Sequence, residues 1–219
     1  MPRSWFLKVL TLLAGAAPAV AAQGLPPGED SAVARLNVSP RHGEWVSYDA
    51  GGGDSVKAWV VYPERSDKAP VVVVIHEIFG LTDWIRSVAD QLAAAGFLAI
   101  APDLLTGHGP GGGGTASVDR QGAIALIREL KSDDVARRLK AAAGYATALP
   151  AAMSAVGSVG FCWGGSTSFA FATTEADLKA AVVYYGTAPA EEAVGRIRAP
   201  VLGFYGGDDA RVTSTVEPT

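Results

Sequence analysis

The stretch that decides the fold is VGSVGFCWGG, residues 156–165. Its first half is a short apolar run typical of a buried strand, and a helix is predicted after Gly164. Gly160, Cys162 and Gly164 fit the pattern G-x-S-x-G, with cysteine in the serine position. In that pattern a sharp turn pushes the central side chain to the sheet rim, at a helix N-terminus that favours a thiolate. We therefore predict that Cys162 is a nucleophile rather than a small core residue, and that the Trp163 N–H faces a developing oxyanion.

Strands and helices alternate on both sides of this stretch. The predicted strands are 43–49, 55–62, 71–75, 97–100, 156–161, 180–185 and 200–205, and the predicted helices are 83–95, one or two within 117–149, one after Gly164, and 189–195. The first two strands alternate in polarity and are joined by a glycine loop, which predicts an antiparallel hairpin. The later strands are unbroken apolar runs, as in strands buried on both faces. We predict an α/β fold with a mostly parallel sheet, helices on both faces and an N-terminal antiparallel hairpin.

Candidate site residues follow the carboxyl ends of the predicted strands, where parallel sheets bind ligands. Glu77 and Ile78 follow the 71–75 strand; Glu77 is a carboxylate beside the expected cleft, or a helix-capping group. The Ile78 N–H is a candidate second oxyanion donor. Tyr185 ends the 180–185 strand and is a candidate for the pocket lining. Asp209 follows the last strand and could orient a histidine, or cap its own turn.

Composition excludes several classes of protein. With 49% apolar and 18% charged residues, the 219-residue chain is too apolar to be disordered. It has a formal net charge of −4 and no Lys/Arg-rich run, which argues against nucleic-acid binding. No phosphate loop is present, and His76-Glu77 does not complete the zinc motif H-E-x-x-H because position 80 is glycine. We therefore expect no cofactor and no metal.

The N-terminus has the pattern of an export signal. Arg3 and Lys8 precede an apolar stretch at 9–17, and Ala19-Val20-Ala21 is a small-residue cleavage site. The apolar stretch is short for a membrane span, which needs about 20 residues. We predict a signal peptide at 1–21, an aperiodic linker at 22–42 and one domain at 43–219, in a protein that is periplasmic or secreted.

Five segments together resemble the dienelactone hydrolase family of α/β-hydrolases: HEIFG (76–80), APDLL (101–105), GFCWGG (160–165), VVYYG (182–186) and GGDDARV (206–212). The resemblance implies a Cys-His-Asp triad that hydrolyses a small ester or lactone. It implies that Cys162 is the nucleophile, Asp209 the triad aspartate and Glu77 the glutamate that holds and switches the thiol. Ile78 and Trp163 then match the family's oxyanion donors.

Two departures from the family pattern stand out. The family's substrate-gripping arginine has no counterpart in Thr106-Gly107-His108. The three histidines, at 42, 76 and 108, all precede the nucleophile, whereas the triad histidine should follow Asp209. Residues 214–217 fit a capping box and predict a helix start. We therefore expect the chain to lack a C-terminal strand and helix, with the triad histidine beyond residue 219.

Two other functions are compatible with these residues. The chain could be an inactive binding protein on a hydrolase scaffold, which the histidine pattern favours. It could also be a single-cysteine peroxidase, although it has no resolving cysteine. Within the hydrolase hypothesis, His76 or His108 could replace the triad histidine. The oligomeric state is not predicted.

Overall fold

The computed structural model describes residues 28–216, so the predicted signal peptide and linker residues 22–27 lie outside the described residues. The strands are β1 Gly43–Asp49, β2 Ser55–Val61, β3 Ala69–Ile75, β4 Leu98–Pro102, β5 Ala152–Phe161, β6 Ala180–Tyr184 and β7 Val201–Phe204. The helices are α1 Glu29–Asn37, α2 Asp83–Ala94, α3 Arg120–Glu129, α4 Ser132–Ala148, α5 Trp163–Thr174, α6 Glu191–Val194 and α7 Ala210–Thr213. Within 28–216 no helix combines the length and apolar character needed to cross a membrane.

The seven strands form one sheet in the order β1-β2-β4-β3-β5-β6-β7. β1, β2 and β4 pair antiparallel, and the remaining neighbours pair parallel. The predicted α/β class, mostly parallel sheet and N-terminal hairpin are therefore confirmed. Because β3, β5, β6 and β7 are parallel neighbours, their carboxyl ends share one edge of the sheet, which is where a site is expected.

The sheet is buried on both faces by helices. Alternate residues of β3 face opposite sides, as the two-residue period of a strand requires. Val73 and Ile75 pack into the cluster that contains Leu139 of α4, while Val74 packs with Ile85 of α2. This explains why the central strands lack the alternation of polarity seen in the hairpin.

The predicted linker contains a helix. Residues 29–37 form α1, which packs on α2 and buries Ala32, so the linker interpretation is wrong for this segment. The chain after α1 is held by Arg41, whose guanidinium makes a two-point ion pair with the buried carboxylate of Asp90. The two residues of this ion pair are 49 positions apart in the chain, so the sequence around either one did not predict it.

The capping box predicted at 214–217 includes Glu217, and the helix that it predicts falls mainly outside the described residues. Within them, Asp209 is the N-cap of α7, because its carboxylate accepts a hydrogen bond from the Val212 N–H at 3.3 Å. Ser214 lies at the opposite end of α7, as its C-cap.

Candidate active site

Cys162 lies on a sharp turn between β5 and α5, as predicted. Its backbone has φ 57° and ψ −120°, a conformation that costs a non-glycine residue about 1–3 kcal/mol. The turn closes because its glycines have no side chain. A Cβ on Gly160 would lie 1.9 Å from the Gly164 carbonyl oxygen, and one on Gly164 would lie 2.3 Å from the His76 oxygen. The pattern G-x-C-x-G is therefore a steric requirement of this fold.

The turn places the thiol at the start of a twelve-residue helix. Cys162 is the N-cap of α5 and is partly exposed, and Trp163 is the first helical residue. The first N–H groups of a helix have no partner within it, and the helix dipole is positive there. The Trp163 N–H is thus available to an oxyanion that forms on a carbonyl group attacked by Sγ.

A carboxylate and a phenol lie together at the same sheet edge. The Tyr185 hydroxyl donates a hydrogen bond of 3.1 Å to Oε1 of Glu77. Burial raises the pKa of the Glu77 carboxyl, the Tyr185 hydrogen bond opposes that rise, and the charge of Glu29 adds to it. Burial also raises the pKa of Tyr185, and the negative charges of Glu77 and of the Cys162 thiolate add to this. Tyr185 therefore bonds to the carboxylate and lies within electrostatic range of the thiol.

Tyr185 shares a backbone peculiarity with Cys162. They are the two non-glycine residues with positive φ among residues 28–216, at 42° and 57°. Strained conformations of this kind cluster at functional sites, where the surrounding structure holds them.

Ile78 lies in a tight turn beside the elbow. The Gly80 N–H donates to the Glu77 carbonyl at 3.2 Å, and Gly80 has a φ of 78° that favours glycine. The side chains of Ile78 and Trp163 pack on the same small cluster, around Leu105. The two candidate oxyanion donors thus belong to segments that share a packing contact.

His76 is a buried structural residue. It is fully buried and its ring stacks on the Trp163 indole, with centroids 5.5 Å apart. Its Nε2 accepts from the Leu104 N–H at 3.2 Å, so its Nδ1 carries the proton and donates to the Glu77 carbonyl at 2.8 Å. Burial lowers the pKa of His76. With both nitrogens occupied, His76 does not meet the requirements of a catalytic base.

Asp209 follows β7 at the predicted sheet edge, but its carboxylate bonds to its own helix. It lies 3.9 Å from the Arg211 guanidinium, and within residues 28–216 no hydrogen bond joins it to a histidine. His42 precedes β1 at the opposite edge of the sheet, where β1 pairs with the end of β2. His108 is exposed in the glycine-rich loop. The structure therefore brings Cys162, Trp163, Ile78, Glu77 and Tyr185 together, and leaves Asp209 capping α7.

The structure adds two residues that the sequence analysis missed. A cavity of about 220 Å³ is lined by Glu29, Glu77, Phe79, Trp84, Arg120 and Tyr185. The Arg120 guanidinium lies 3.5 Å from the centre of the Phe79 ring and 2.8 Å from Oε1 of Glu29. Arg120 is the first residue of α3 and Glu29 the first residue of α1, and neither belongs to a sequence motif. The one nearby feature that the sequence could have provided is Asp119, the N-cap of α3.

This fold and site define an α/β-hydrolase with a cysteine at the nucleophile elbow. The family model of the dienelactone hydrolase family matches residues 56–218. The chain belongs to that family.

Individual relatives agree with this assignment. A putative carboxymethylenebutenolidase of Salmonella typhimurium is 33% identical over 172 residues, which cover 73% of this chain and 63% of the relative. A carboxymethylenebutenolidase of Pseudomonas sp. is 33% identical over 175 residues, covering 78% and 73%. The crystal structure of a putative dienelactone hydrolase from Klebsiella pneumoniae superposes with a TM-score of 0.71 at 30% identity, over 81% of this chain and 78% of that one. The chain thus spans little more than three fifths of the length of the Salmonella relative.

Proposed function

We propose that this protein is an exported hydrolase of carboxylic esters or lactones that uses Cys162 as its nucleophile. The observation that carries the proposal is the strained elbow, which holds the thiol at the N-terminus of α5 next to the Glu77–Tyr185 pair. We take the substrate to be a small molecule, since the cavity beside Glu77 and Tyr185 measures about 220 Å³. The names of the matched relatives support a lactone or ester as the bond cleaved.

The reaction begins with loss of the thiol proton. Glu77, whose pKa is raised by burial, takes the proton of Cys162, and the thiolate attacks the carbonyl carbon. The carbonyl oxygen becomes an anion held by the N–H groups of Trp163 and Ile78. The bond to the leaving oxygen then breaks, that oxygen takes the proton held by Glu77, and an acyl thioester remains on Cys162. Water cleaves the thioester, which yields the acid and restores the thiol.

Hydrolysis of the thioester needs a base to activate water. We assign this role to a histidine oriented by Asp209, as the family's Cys-His-Asp triad implies. His42, His76 and His108 do not occupy that place: His76 is buried with both ring nitrogens bonded, and His42 and His108 are exposed elsewhere. The acylation step requires only groups within residues 28–216, so it can be tested on this chain.

Arg120 supplies a cation for an anionic group of the substrate. The stretch 106–108 offers no arginine, but the Arg120 guanidinium lines the cavity beside Glu77 and Tyr185. Its partner in the structure is the Glu29 carboxylate, which lies where a substrate carboxylate would bind. This assignment predicts that Arg120→Gln slows acylation by mono-p-nitrophenyl succinate, and leaves acylation by neutral p-nitrophenyl acetate unchanged.

The export part of the proposal rests on residues 1–21, with their basic start, apolar stretch and Ala19-Val20-Ala21. Expression of the whole sequence in a Gram-negative host, followed by N-terminal sequencing of the periplasmic product, tests it. A mature protein beginning near residue 22 is expected. Recovery of the uncleaved chain from the cytoplasm would contradict export.

The central experiment measures acylation of the thiol by mass spectrometry. The purified protein is mixed with p-nitrophenyl acetate, and one acetyl group per chain is expected on Cys162, the single cysteine of the sequence. Cys162→Ala should remove the adduct, while the remote surface variant His42→Gln should keep it. A folded protein that takes up no acetyl group would refute the hydrolase proposal and favour a binding protein on this scaffold.

A further inference from the structure

The glycine-rich segment 107–114 is folded back on itself. The Gly113 carbonyl accepts from the N–H groups of Gly107 and Gly109 at 3.1 and 2.9 Å. Gly111 and Gly112 have positive φ, which permits this tight path. The fold of the segment delivers Thr115, the residue that follows it, to the turn at 77–80.

Thr115 joins that turn to a buried carboxylate. Its Oγ1 accepts from the Leu81 N–H at 2.9 Å and donates to Oδ1 of Asp103 at 2.7 Å. The Thr115 N–H donates to Oδ2 of Asp103 at 2.8 Å, and the Leu105 N–H donates to Oδ1 at 3.1 Å. Asp103 is 5% exposed, so these bonds form in a water-poor environment where each is strengthened.

Two close approaches show how tightly this connection is packed. A Cβ on Gly80 would lie 2.2 Å from Oγ1 of Thr115, and one on Gly114 would lie 2.3 Å from Oδ2 of Asp103. The glycines at both positions therefore make room for the Thr115–Asp103 link.

The other end of the turn is fixed by His76. Its ring joins the Glu77 carbonyl to the Leu104 N–H, one residue from Asp103. Both ends of the turn are thus tied to the segment that follows β4. The freedom of the intervening Ile78 peptide is restricted from two sides.

We propose that Thr115 is a positioning residue, which holds the 77–80 turn so that the Ile78 N–H points at the oxyanion. The inference rests on the proposed function, because it assigns a task to one of its oxyanion donors. Thr115 touches neither the substrate nor Sγ. It accepts a hydrogen bond from the Leu81 N–H, which directly follows the 77–80 turn, and in this way fixes the position of the turn.

The test compares two reactions of the same thiol. Acylation by p-nitrophenyl acetate forms an oxyanion, whereas alkylation by iodoacetamide displaces iodide and forms none at the carbonyl. The ratio of the two rates therefore reports the oxyanion donors, and not the reactivity or exposure of Cys162. A general loosening of the fold would change both rates.

Thr115→Val keeps the shape of the side chain and removes its hydroxyl. Loss of a whole oxyanion donor costs about 10²–10³ in rate, so a misdirected donor is expected to lower acylation about ten-fold. Alkylation should stay within about two-fold of the wild type, and Thr115→Ser should restore acylation. Ser117→Ala is the matched control, since Ser117 bonds only within the same loop, to the Gly114 carbonyl at 2.7 Å.

The outcomes separate the two proposals. Wild-type protein that is alkylated but never acylated would refute the proposed function. Wild-type acylation with an equal rate in Thr115→Val, or with alkylation lowered in parallel, would overturn the positioning role alone. If Thr115→Val does not fold, Asp103→Asn tests the same link by removing one acceptor, and the same selective loss of acylation is expected.

Discussion

Replacement of Cys162 by glycine should give a more stable protein than replacement by alanine, and both variants lack the proposed nucleophile. Cys162 has φ 57° and ψ −120°, which glycine adopts without steric cost. Cys162→Ala is the reference variant, because it also lacks the sulfur but keeps the Cβ that causes the strain. The difference in unfolding free energy between the glycine and alanine variants therefore isolates the cost of the backbone conformation.

The expected difference follows from two opposing contributions. Relief of strain favours glycine by about 1–3 kcal/mol. The greater freedom of glycine in the unfolded chain opposes this by about 0.4–1 kcal/mol. At the midpoints of these ranges the glycine variant should be more stable than the alanine variant by roughly 1.3 kcal/mol, or about 3–5 °C in Tm for a domain of this size.

The assay is urea unfolding of both variants, with a second glycine/alanine pair as an internal control. Gly144 lies in the exposed middle of α4, where an added Cβ would have no atom within 4 Å. There the order should reverse, with alanine more stable by about 1 kcal/mol. A glycine variant at 162 that is less stable than the alanine variant, while position 144 behaves as expected, would refute the claim that the elbow is strained.

Three more predictions test the surroundings of the thiol. Gly160→Ala should lose about 3 kcal/mol or more of stability to urea, or fail to fold, because its Cβ would meet the Gly164 carbonyl at 1.9 Å; near-native stability would contradict the close approach. His76 should appear in ring-nitrogen NMR at pH 6 as the neutral Nδ1–H form, because burial lowers its pKa; a doubly protonated ring would contradict its bonds to Glu77 and Leu104. Glu77→Gln should raise stability to urea at pH 7, where the buried Glu77 carboxylate is unfavourable in the folded protein because its pKa is raised. Below the unfolded-state pKa of 4.5 the gain should disappear, since the carboxyl group is then protonated in both states. No gain at pH 7 would contradict this prediction.

The sequence analysis predicted which candidate site residues meet at one edge of the sheet. Cys162 and Glu77 follow predicted parallel strands and Tyr185 ends one, and a parallel sheet brings such positions to one edge. The glycine spacing at 160 and 164 also predicted the sharp turn, because the turn cannot close with larger residues at these positions. These features could be predicted because each depends on a few adjacent residues and on the topology of the sheet.

The features that were missed depend on contacts between distant residues. Arg120 and Glu29 meet from the first positions of two helices, 91 residues apart in the chain. Helix α1 has nine residues and is held by packing on α2, so its own pattern was too weak to predict it. Thr115 follows a run of glycines. Their composition indicates a loop, but it does not indicate which part of the structure the end of that loop contacts.

Two strained backbone conformations and one unfavourable buried charge lie around one thiol. The strained residues are Cys162 and Tyr185, and burial makes the charged form of Glu77 unfavourable. Cys162 and Glu77 belong to neither of the two apolar clusters on the faces of the sheet, whereas Tyr185 also packs against one of them. A scaffold that only bound a ligand would gain nothing from a strained nucleophile beside a carboxylate with a raised pKa. Because unused strain is readily lost by substitution, this concentration supports a chemical role for Cys162 over a purely binding one.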